Sequence, residues 1–387
     1  MHPFFSALEQ RVADPDRRTR STHQKAVSQC TCGQSIFFRN SQCLACAAAL
    51  GYAPERGAVL TLSTADGETW RIADEVDGPL YRRCANLHTA AGCNWLLPAG
   101  DADPLCLACR LNRTIPDLSV PGNDRRWARF EAAKRRLVAQ LLTLQLPVVN
   151  RDEDPQHGLA FDFLGTDIDG STPLTGHDHG LITLNIAEAD DAHREQVRVQ
   201  MREPYRTLLG HFRHEVGHYY WDRLIADSPW LDACRALFGD ERADYGEALQ
   251  HHYETGAPAD WQAHFVSAYA SMHPWEDWAE TWAHYLHMMD TLDTALSLGM
   301  RAGDIELDFQ PYTHEALSEP GDTQADAFLL LVNAWIELAA MLNELARSMG
   351  QPDLYPFVLP PAVIAKLQFI HQVICATGDT RASARAL

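Results

Sequence analysis

The run from His211 to His218, His-Phe-Arg-His-Glu-Val-Gly-His, is the feature that most constrains how this chain folds. It contains His-Glu-x-x-His, and residues four apart lie on one face of an α-helix. His214 and His218 can therefore bind one metal ion, while Glu215, about 100° around the helix, can reach a water on that ion. A catalytic zinc ion needs a third protein ligand and one open position. The fold must therefore bring a second element to this helix.

Apolar residues recur at helical spacing around this motif, which predicts a largely buried helix over residues 205–226. Buried imidazoles and carboxylates need partners, and a metal ion supplies one. Gly217 lies inside this helix, where glycine costs about 1 kcal/mol relative to alanine. A residue this small allows another segment to approach closely.

The second element is predicted in the tryptophan-rich segment 273–287. Pro274 suits the first turn of a helix, and Glu276, Glu280 and His284 then fall on one stripe at intervals of four. A row of ionisable groups on such a helix is costly to bury without a function. We therefore expect the third metal ligand to come from this stripe.

The pattern Glu276-x-x-Ala-Glu280 after HExxH resembles that of gluzincin peptidases. Tyr269, seven residues before Glu276, also resembles the catalytic lobe of anthrax-lethal-factor-like peptidases. These resemblances imply that Glu276 is the third zinc ligand and that Glu280 orients a ligand histidine. They further imply that Tyr269 stabilises the oxyanion, with Glu215 as the general base.

A rival third ligand is Asp240, in the segment Asp240-Glu-Arg-Ala-Asp244, which also has an acid-x-x-Ala-acid form. Its shorter distance from the HExxH motif is acceptable for other zincins. We favour Glu276 because glutamate is the commoner ligand in the gluzincin pattern and Tyr269 accompanies it. Residues 238–245 are then predicted to form a turn followed by a helix start.

Eight of the ten cysteines lie between residues 30 and 109, in two groups of four. The first group is Cys30, Cys32, Cys43 and Cys46, and the second is Cys84, Cys93, Cys106 and Cys109. Each group ends in Cys-x-x-Cys, a knuckle that wraps a tetrahedral zinc ion, so we expect two structural zinc ions. The first half of each group departs from the usual ribbon spacing, which leaves open a single zinc ion with the other cysteines as thiols. His88 is a possible substitute ligand in the second group.

Composition excludes some classes of function. The net charge of −20 argues against a nucleic acid held through its phosphates. The apolar stretch 327–342 is interrupted by Asn333 and Glu337, which favours a buried helix over a membrane span. No secretory signal is visible, so we expect a cytoplasmic protein, where cysteines bind metal rather than form disulfides. The oligomeric state is not indicated.

The predicted fold class is α+β: a small Cys-rich zinc-ribbon β domain over 23–115 precedes a mainly helical zincin-like domain with a small antiparallel sheet over 120–387. Residues 1–22 are predicted to be a mobile tail. Strands are predicted at 159–164 and 181–186, and His177 and His179 in the loop between them are expected to be solvated. Helices are predicted at 124–144, 190–201, 205–226, 230–237, 241–254, 258–270, 274–290, 322–348 and 360–376.

The whole pattern resembles bacterial zinc-binding metallopeptidases with an N-terminal zinc ribbon. The segments that carry this resemblance are Phe37-Phe-Arg-Asn, Cys93-Asn-Trp, Thr175-Gly-His-Asp, Glu203-Pro-Tyr-Arg-Thr-Leu-Leu-Gly-His-Phe-Arg-His and His273-Pro-Trp-Glu-Asp-Trp-Ala-Glu. It implies one catalytic zinc ion and a protein or peptide substrate, without indicating which biological substrate. The resemblance to zincins further implies that 181–186 is an edge strand that pairs with an extended substrate. Two alternatives stay open: a ribbon adaptor with an inactive HExxH site, and a zinc amidase or isopeptidase acting on a conjugate.

Overall fold

The computed structural model describes residues 2–13, 27–165, 175–300, 307 and 309–385. The chain divides into two compact units. One comprises residues 20–143 and 147–197, which we call the ribbon unit. The other comprises residues 1–19, 144–146 and 198–387, which we call the helical unit. The mainly helical domain and the Cys-rich β region that precedes it agree with the predicted fold class.

The ribbon unit begins with two antiparallel sheets. Its first seven strands are β1 (Val27–Gln29), β2 (Ser35–Phe37), β3 (Leu50–Ala53), β4 (Ala58–Thr64), β5 (Trp70–Ile72), β6 (Tyr81–Arg83) and β7 (Leu96–Pro98). Strands β1 and β2 form a hairpin, and β3 to β7 form a five-stranded sheet in sequence order. Leu62, Tyr81 and Leu96 pack together in a small core on this sheet. So small a core favours additional stabilisation by metal.

The rest of the ribbon unit contains two helices and a four-stranded mixed sheet. Its elements are α2 (Leu107–Arg110), β8 (Asn112–Thr114), α3 (Asn123–Thr143), β9 (Ala160–Leu164), β10 (Gly176–Asp178) and β11 (Leu181–Asn185). The sheet order is β10-β11-β9-β8, with β9 parallel to both β8 and β11. Strand β11 therefore has neighbours on both sides, and the prediction that 181–186 form a free edge is wrong. The edge strands of this sheet are β10 and β8.

The same sheet crosses the predicted domain boundary at residues 115–120. Strand β8 precedes that boundary and β9 follows it, and the two pair in parallel at Asn112–Phe161 and Thr114–Asp162, with an irregularity between these pairs. Arg113 also donates from Nε to Asp162 Oδ1 at 3.0 Å. Backbone pairing between distant segments is invisible to local composition. The compact units consequently differ from the predicted division, with α3 and the mixed sheet in the ribbon unit.

The helical unit is built from long helices. They are α1 (Pro3–Ala13), α5 (Leu208–Leu224), α6 (Leu231–Phe238), α7 (Tyr245–Thr255), α8 (Pro274–Ser297), α9 (Ala325–Ser348) and α10 (Pro361–Arg385), while α4 (Asp191–Gln200) crosses the division between the units. The helix predicted at 258–270 is wrong, because that segment contains only the 3₁₀ turns Trp261–Ala263 and Tyr269–Ser271. The other predicted helices form within a few residues of their expected bounds, except that α8 and α10 extend further.

Helices α5 and α8 pack unusually closely at Gly217. A Cβ atom built on Gly217 would lie 3.0 Å from Ala279 Cα and 3.3 Å from the Ala279 carbonyl oxygen. Trp278 Nε1 donates to the Gly217 carbonyl oxygen at 2.8 Å, which ties the helices together at the same level. The predicted reason for a glycine here is therefore confirmed: it lets the two predicted metal-binding elements meet backbone to backbone.

The N-terminal segment corrects the prediction of a mobile tail over 1–22. Residues 3–13 form α1, and its Phe4, Phe5 and Leu8 are buried. The Phe5 ring lies 4.5 Å from that of His371 on α10, and Arg11 forms an ion pair with Asp293 on α8. The prediction of a mobile tail is wrong because the apolar residues of α1 are interspersed with charged residues in the sequence. Residues 1 and 14–22 of the predicted tail lie outside the described residues.

Helix α9 contains the long apolar stretch of the sequence. Its length and composition would suffice to cross a membrane, but half of its most apolar window is buried inside the protein. Phe328, Leu331 and Trp335 are among the buried residues. Core helices commonly have this composition, and the burial agrees with the predicted core helix.

Candidate metal centre

Helix α5 places the two histidines of the HExxH motif side by side. Thr207 caps its first turn, where the Thr207 hydroxyl accepts from the Gly210 N–H at 3.0 Å. The rings of His214 and His218 then lie 5.0 Å apart, one helical turn from each other. Both Nε2 atoms face the same side chain on α8.

That side chain is Glu276, in the first turn of α8. The His273 ring nitrogen accepts from the Trp275 N–H at 3.1 Å and caps this helix, with Pro274 at its first position. Glu276 Oε2 lies 3.0 Å from His214 Nε2, and Glu276 Oε1 lies 3.5 Å from His218 Nε2. Three donor atoms of these residues lie within 4.8 Å of one another.

This donor set fits zinc. Metal–ligand bonds of about 2.0–2.1 Å in tetrahedral geometry separate two ligand atoms by about 3.3–3.4 Å, and the distances of 3.0 and 3.5 Å bracket that value. Two imidazole nitrogens and one carboxylate also match a catalytic site, which leaves the fourth position open. The assignment of His214, His218 and Glu276 as ligands stays a prediction.

The carboxylates around the two imidazoles give the site a negative potential. Burial raises the pKa of Glu276, but the imidazoles of His218 and His214 outweigh it and hold that pKa well below its usual range. Burial lowers the pKa of His214, but the hydrogen bonds to Glu276 and Glu280 outweigh it and raise that pKa well above its usual value. Charges of this arrangement suit a divalent cation, which would replace the proton between histidine and carboxylate.

Glu280 lies directly behind His214, one turn after Glu276. Its Oε1 is 2.7 Å from His214 Nδ1, and its Oε2 accepts from the Ser267 hydroxyl at 2.7 Å. The Ser267 oxygen in turn accepts from the Ala270 N–H at 3.1 Å. A carboxylate on Nδ1 fixes the ring so that Nε2 points at the metal position. The geometry is the one that the predicted role of Glu280 requires.

Glu215 is buried on α5 beside the two histidines. Burial raises its pKa, while His214 and His218 partly counteract this effect. Glu215 therefore stands where a carboxylate could receive a proton near the metal position. Its role as general base stays a prediction.

Tyr269 lies in the 3₁₀ turn that precedes α8, with its ring 6.1 Å from that of His214. It is partly buried, and burial is the main reason that its pKa is raised above its usual value. The phenol is thus kept protonated and able to donate a hydrogen bond. Sequence reasoning placed this residue correctly near the metal position, although it expected a helix there.

Asp240, the rival ligand, is not among the side chains that converge in the donor set. It is exposed and pairs with Arg242 at 2.7 Å, which holds the pKa of Asp240 below its usual range. Asp244 caps α7 by accepting from the Glu247 N–H at 2.8 Å. The segment is a turn followed by a helix start, as predicted, and its carboxylates serve local structure.

Two residues near the donor set were not found from the sequence. Tyr245 donates from its hydroxyl to Glu276 Oε1 at 3.0 Å, and the Trp275 ring lies 4.1 Å from that of His218. Trp275 was assigned no role among the tryptophans of α8. Tyr245 belongs to another helix, 31 positions before Glu276. No local pattern would have joined it to the site.

The remaining candidate histidines have other partners. His284 Nδ1 is 2.7 Å from the Tyr355 hydroxyl, and burial lowers its pKa to about 4. His177 Nε2 accepts from the Gly180 N–H at 2.9 Å, whereas His179 is largely exposed, as expected of a loop histidine. His88 is exposed, and the second cysteine group has four sulfurs without it.

Both cysteine groups converge as predicted. Each forms a set of four whose sulfur atoms all lie within 4.8 Å of one another. The Sγ atoms of Cys30 and Cys46 are 3.6 Å apart, as are those of Cys93 and Cys106. Zn–S bonds of about 2.3 Å predict about 3.8 Å between sulfurs on a tetrahedral ion, whereas a disulfide requires about 2.0 Å. The two sets therefore fit zinc.

The two sets differ in burial and in support. In the first set Cys32 and Cys46 are exposed, whereas all four cysteines of the second set are buried. Glu131 on α3 lies behind the second set, with Oε2 3.9 Å from Cys109 Sγ. Lys134 pairs with Glu131 at 2.7 Å, and both side chains are fully buried. The second set thus contacts α3 through Glu131, whose carboxylate is paired with Lys134 on the same helix.

Comparison with known proteins gives two family matches along the chain. A family model described as "Putative zinc-binding metallo-peptidase" matches residues 123–373, and a zinc-ribbon domain model matches residues 27–120. Uncharacterised proteins of Mycobacterium bovis and of two Mycobacterium tuberculosis strains are 49% identical over 344 residues, which cover 89% of this chain and 93% of theirs. No solved structure matches the chain significantly.

Proposed function

The chain belongs to this zinc-binding metallo-peptidase family, and on that premise we propose that it is a zinc-dependent peptidase whose catalytic ion is held by His214, His218 and Glu276. The observation that carries the proposal is the convergence of these three side chains from two helices, with Glu280 behind His214. Histidines on a solvent-exposed helix face would be hydrated by water and would not require buried carboxylate partners. When bound, zinc would lower the pKa of a water molecule and polarise the substrate carbonyl.

In this proposal, side chains of the protein transfer the proton of the attacking water. Glu215 accepts it from the attacking water and delivers it to the leaving amine, and its burial favours the protonated form that the second step needs. Glu280 accepts a hydrogen bond from His214 Nδ1–H, which keeps the Nε2 lone pair directed at the ion. Ser267 holds the other Glu280 oxygen, so the ligand ring, its carboxylate partner and the turn before α8 move together.

Tyr269 supplies the remaining catalytic group in this proposal. Its phenol stays protonated near neutral pH because burial raises its pKa, so it can donate to the oxyanion that develops on the carbonyl. Its position beside His214 supports this role.

We further propose two structural zinc ions, one in each cysteine set, which gives three zinc ions per chain. Cysteine sets that bind zinc suit a reducing compartment, and we propose the cytoplasm on that ground. The substrate is proposed to be a protein or peptide, in keeping with the family.

The test combines metal content with cleavage of a peptide library. The wild-type chain is expected to bind three zinc ions and cleave peptides, and Glu215→Gln is expected to keep three zinc ions and lose cleavage. Two zinc ions without cleavage would indicate a ribbon adaptor instead. Three zinc ions with cleavage of isopeptide conjugates but not of linear peptides would indicate an isopeptidase. Cleavage by Glu215→Gln at the wild-type rate would reject the general base.

A further inference from the structure

Tyr245 is the first residue of α7. Its side chain reaches the metal centre, whose proposed ligands lie on two other helices, α5 and α8. Its hydroxyl donates to Glu276 Oε1 at 3.0 Å. Tyr269 lies close enough to Tyr245 for each phenol to influence the pKa of the other. Tyr245 therefore contacts the carboxylate of Glu276 and lies beside Tyr269.

The carboxylate of Glu276 needs an orienting partner. Rotation of a glutamate carboxylate about its last bond is broad and weakly restricted, so the side-chain rotamer alone does not fix the direction of its lone pairs. Its two oxygens face different imidazoles, Oε2 towards His214 and Oε1 towards His218. The hydroxyl of Tyr245 binds Oε1 and thereby fixes the plane of the carboxylate. Glu280 gives His214 the same kind of support.

The position of the Tyr245 hydroxyl is itself set by packing. Its ring contacts the rings of His273 and Trp275, with centroids 5.3 and 6.3 Å away. His273 Nε2 lies 3.0 Å from the Ala243 carbonyl oxygen, which holds the chain immediately before α7 against the start of α8. Tyr253, further along α7, is 62% exposed. The two tyrosines of one helix thus have different surroundings.

We infer that Tyr245 is a positioning residue of the metal centre: its hydroxyl orients the Glu276 carboxylate towards the ion. The inference rests on the proposed function in taking His214, His218 and Glu276 as the ligands of one zinc ion. It assigns no contact with substrate to Tyr245. Its effect passes through Glu276.

The experiment compares Tyr245→Phe with Tyr253→Phe in the full chain. Each change removes one hydroxyl and keeps the ring, and Tyr253 is the matched control on the same helix. A mild chelator first empties the His214–His218–Glu276 site while the cysteine sets keep their zinc. Zinc is then returned in competition with a fluorescent chelator, and the visible absorption of cobalt bound at the same site is recorded in parallel.

Tyr245→Phe is expected to weaken zinc binding at this site by about ten- to a hundredfold, as loss of a ligand's hydrogen-bonding partner typically does. Its cobalt spectrum is expected to shift, because the orientation of one ligand oxygen changes. Tyr253→Phe is expected to match wild type in both measurements. Wild-type affinity with a wild-type cobalt spectrum in Tyr245→Phe would overturn the inference. If wild type binds zinc here but cleaves no peptide, the proposed peptidase function fails and this inference still stands.

Discussion

Replacing Gly217 with alanine tests whether the close approach of α5 and α8 builds the metal centre. The new Cβ would lie 3.0 Å from Ala279 Cα, whereas carbon atoms at ordinary separation are about 3.5 Å apart or more. The helices must therefore separate locally by about half an ångström. The nearest atoms include backbone of Ala279, so a rotamer change cannot relieve the contact.

Two effects on stability oppose each other. Overpacking costs about 1–3 kcal/mol, while alanine in place of glycine inside a helix contributes about 1 kcal/mol. We expect Gly217→Ala to lose about 0–2 kcal/mol of unfolding free energy. Gly246→Ala on α7 is the control, because its Cβ would meet only Asp244 Oδ1 at 3.4 Å. That variant is expected to gain up to about 1 kcal/mol.

Metal affinity gives the more specific readout. The two histidines lie on α5 and Glu276 lies on α8, so a separation of the helices lengthens the distances between them. We expect Gly217→Ala to bind zinc at this site about tenfold more weakly, which lowers the stabilisation by zinc by about 1.4 kcal/mol. Chelator competition and denaturant unfolding with and without zinc measure both quantities. If Gly217→Ala gains stability like the control and keeps wild-type affinity, the backbone contact does not set the ligand geometry.

Two further predictions concern the tyrosine beside the site and the cysteine sets. Tyr269→Phe is expected to lower kcat by about a hundredfold or more, the usual effect of losing an oxyanion donor, with bound zinc unchanged; a wild-type kcat, measured on a peptide cleaved by wild type, would reject its role. A thiol-reactive chelator is expected to remove zinc from the first cysteine set before the second, because Cys32 and Cys46 are exposed while the second set is buried throughout. Release followed in Cys32→Ser and Cys93→Ser assigns each phase, and loss of the faster phase in Cys93→Ser would contradict the prediction.

Much of the metal centre could be predicted because its determinants are local. His214 and His218 lie one turn apart on one helix, and so do Glu276 and Glu280 on another, so helical periodicity alone places each pair on a common face. Gly217, a glycine inside the first of these helices, indicated where the second could approach closely. The cysteine sets were predictable for a similar reason, since each Cys-x-x-Cys knuckle fixes two ligands within a few residues.

The parts that could not be predicted depend on contacts between segments distant in sequence. Tyr245 belongs to a helix whose position over Glu276 is set by the packing of its ring on His273 and Trp275. The burial of α1 depends on contacts of Phe5 and Arg11 with α8 and α10, far along the chain. Periodicity within either segment does not reveal these partners.

The parallel pairing of β8 with β9 bears on how the two family domains are joined. Residues 27–120 and 123–373 match separate family models, yet β8 belongs to the first and β9 to the second, and they share one sheet. The second cysteine set ends immediately before β8, and α3 packs its Glu131–Lys134 pair behind that set. If the proposed zinc ion binds this set, its loss would leave Cys109 without its metal beside the fully buried Glu131–Lys134 pair. We therefore expect that zinc ion to stabilise the first helix of the peptidase segment as well as the ribbon.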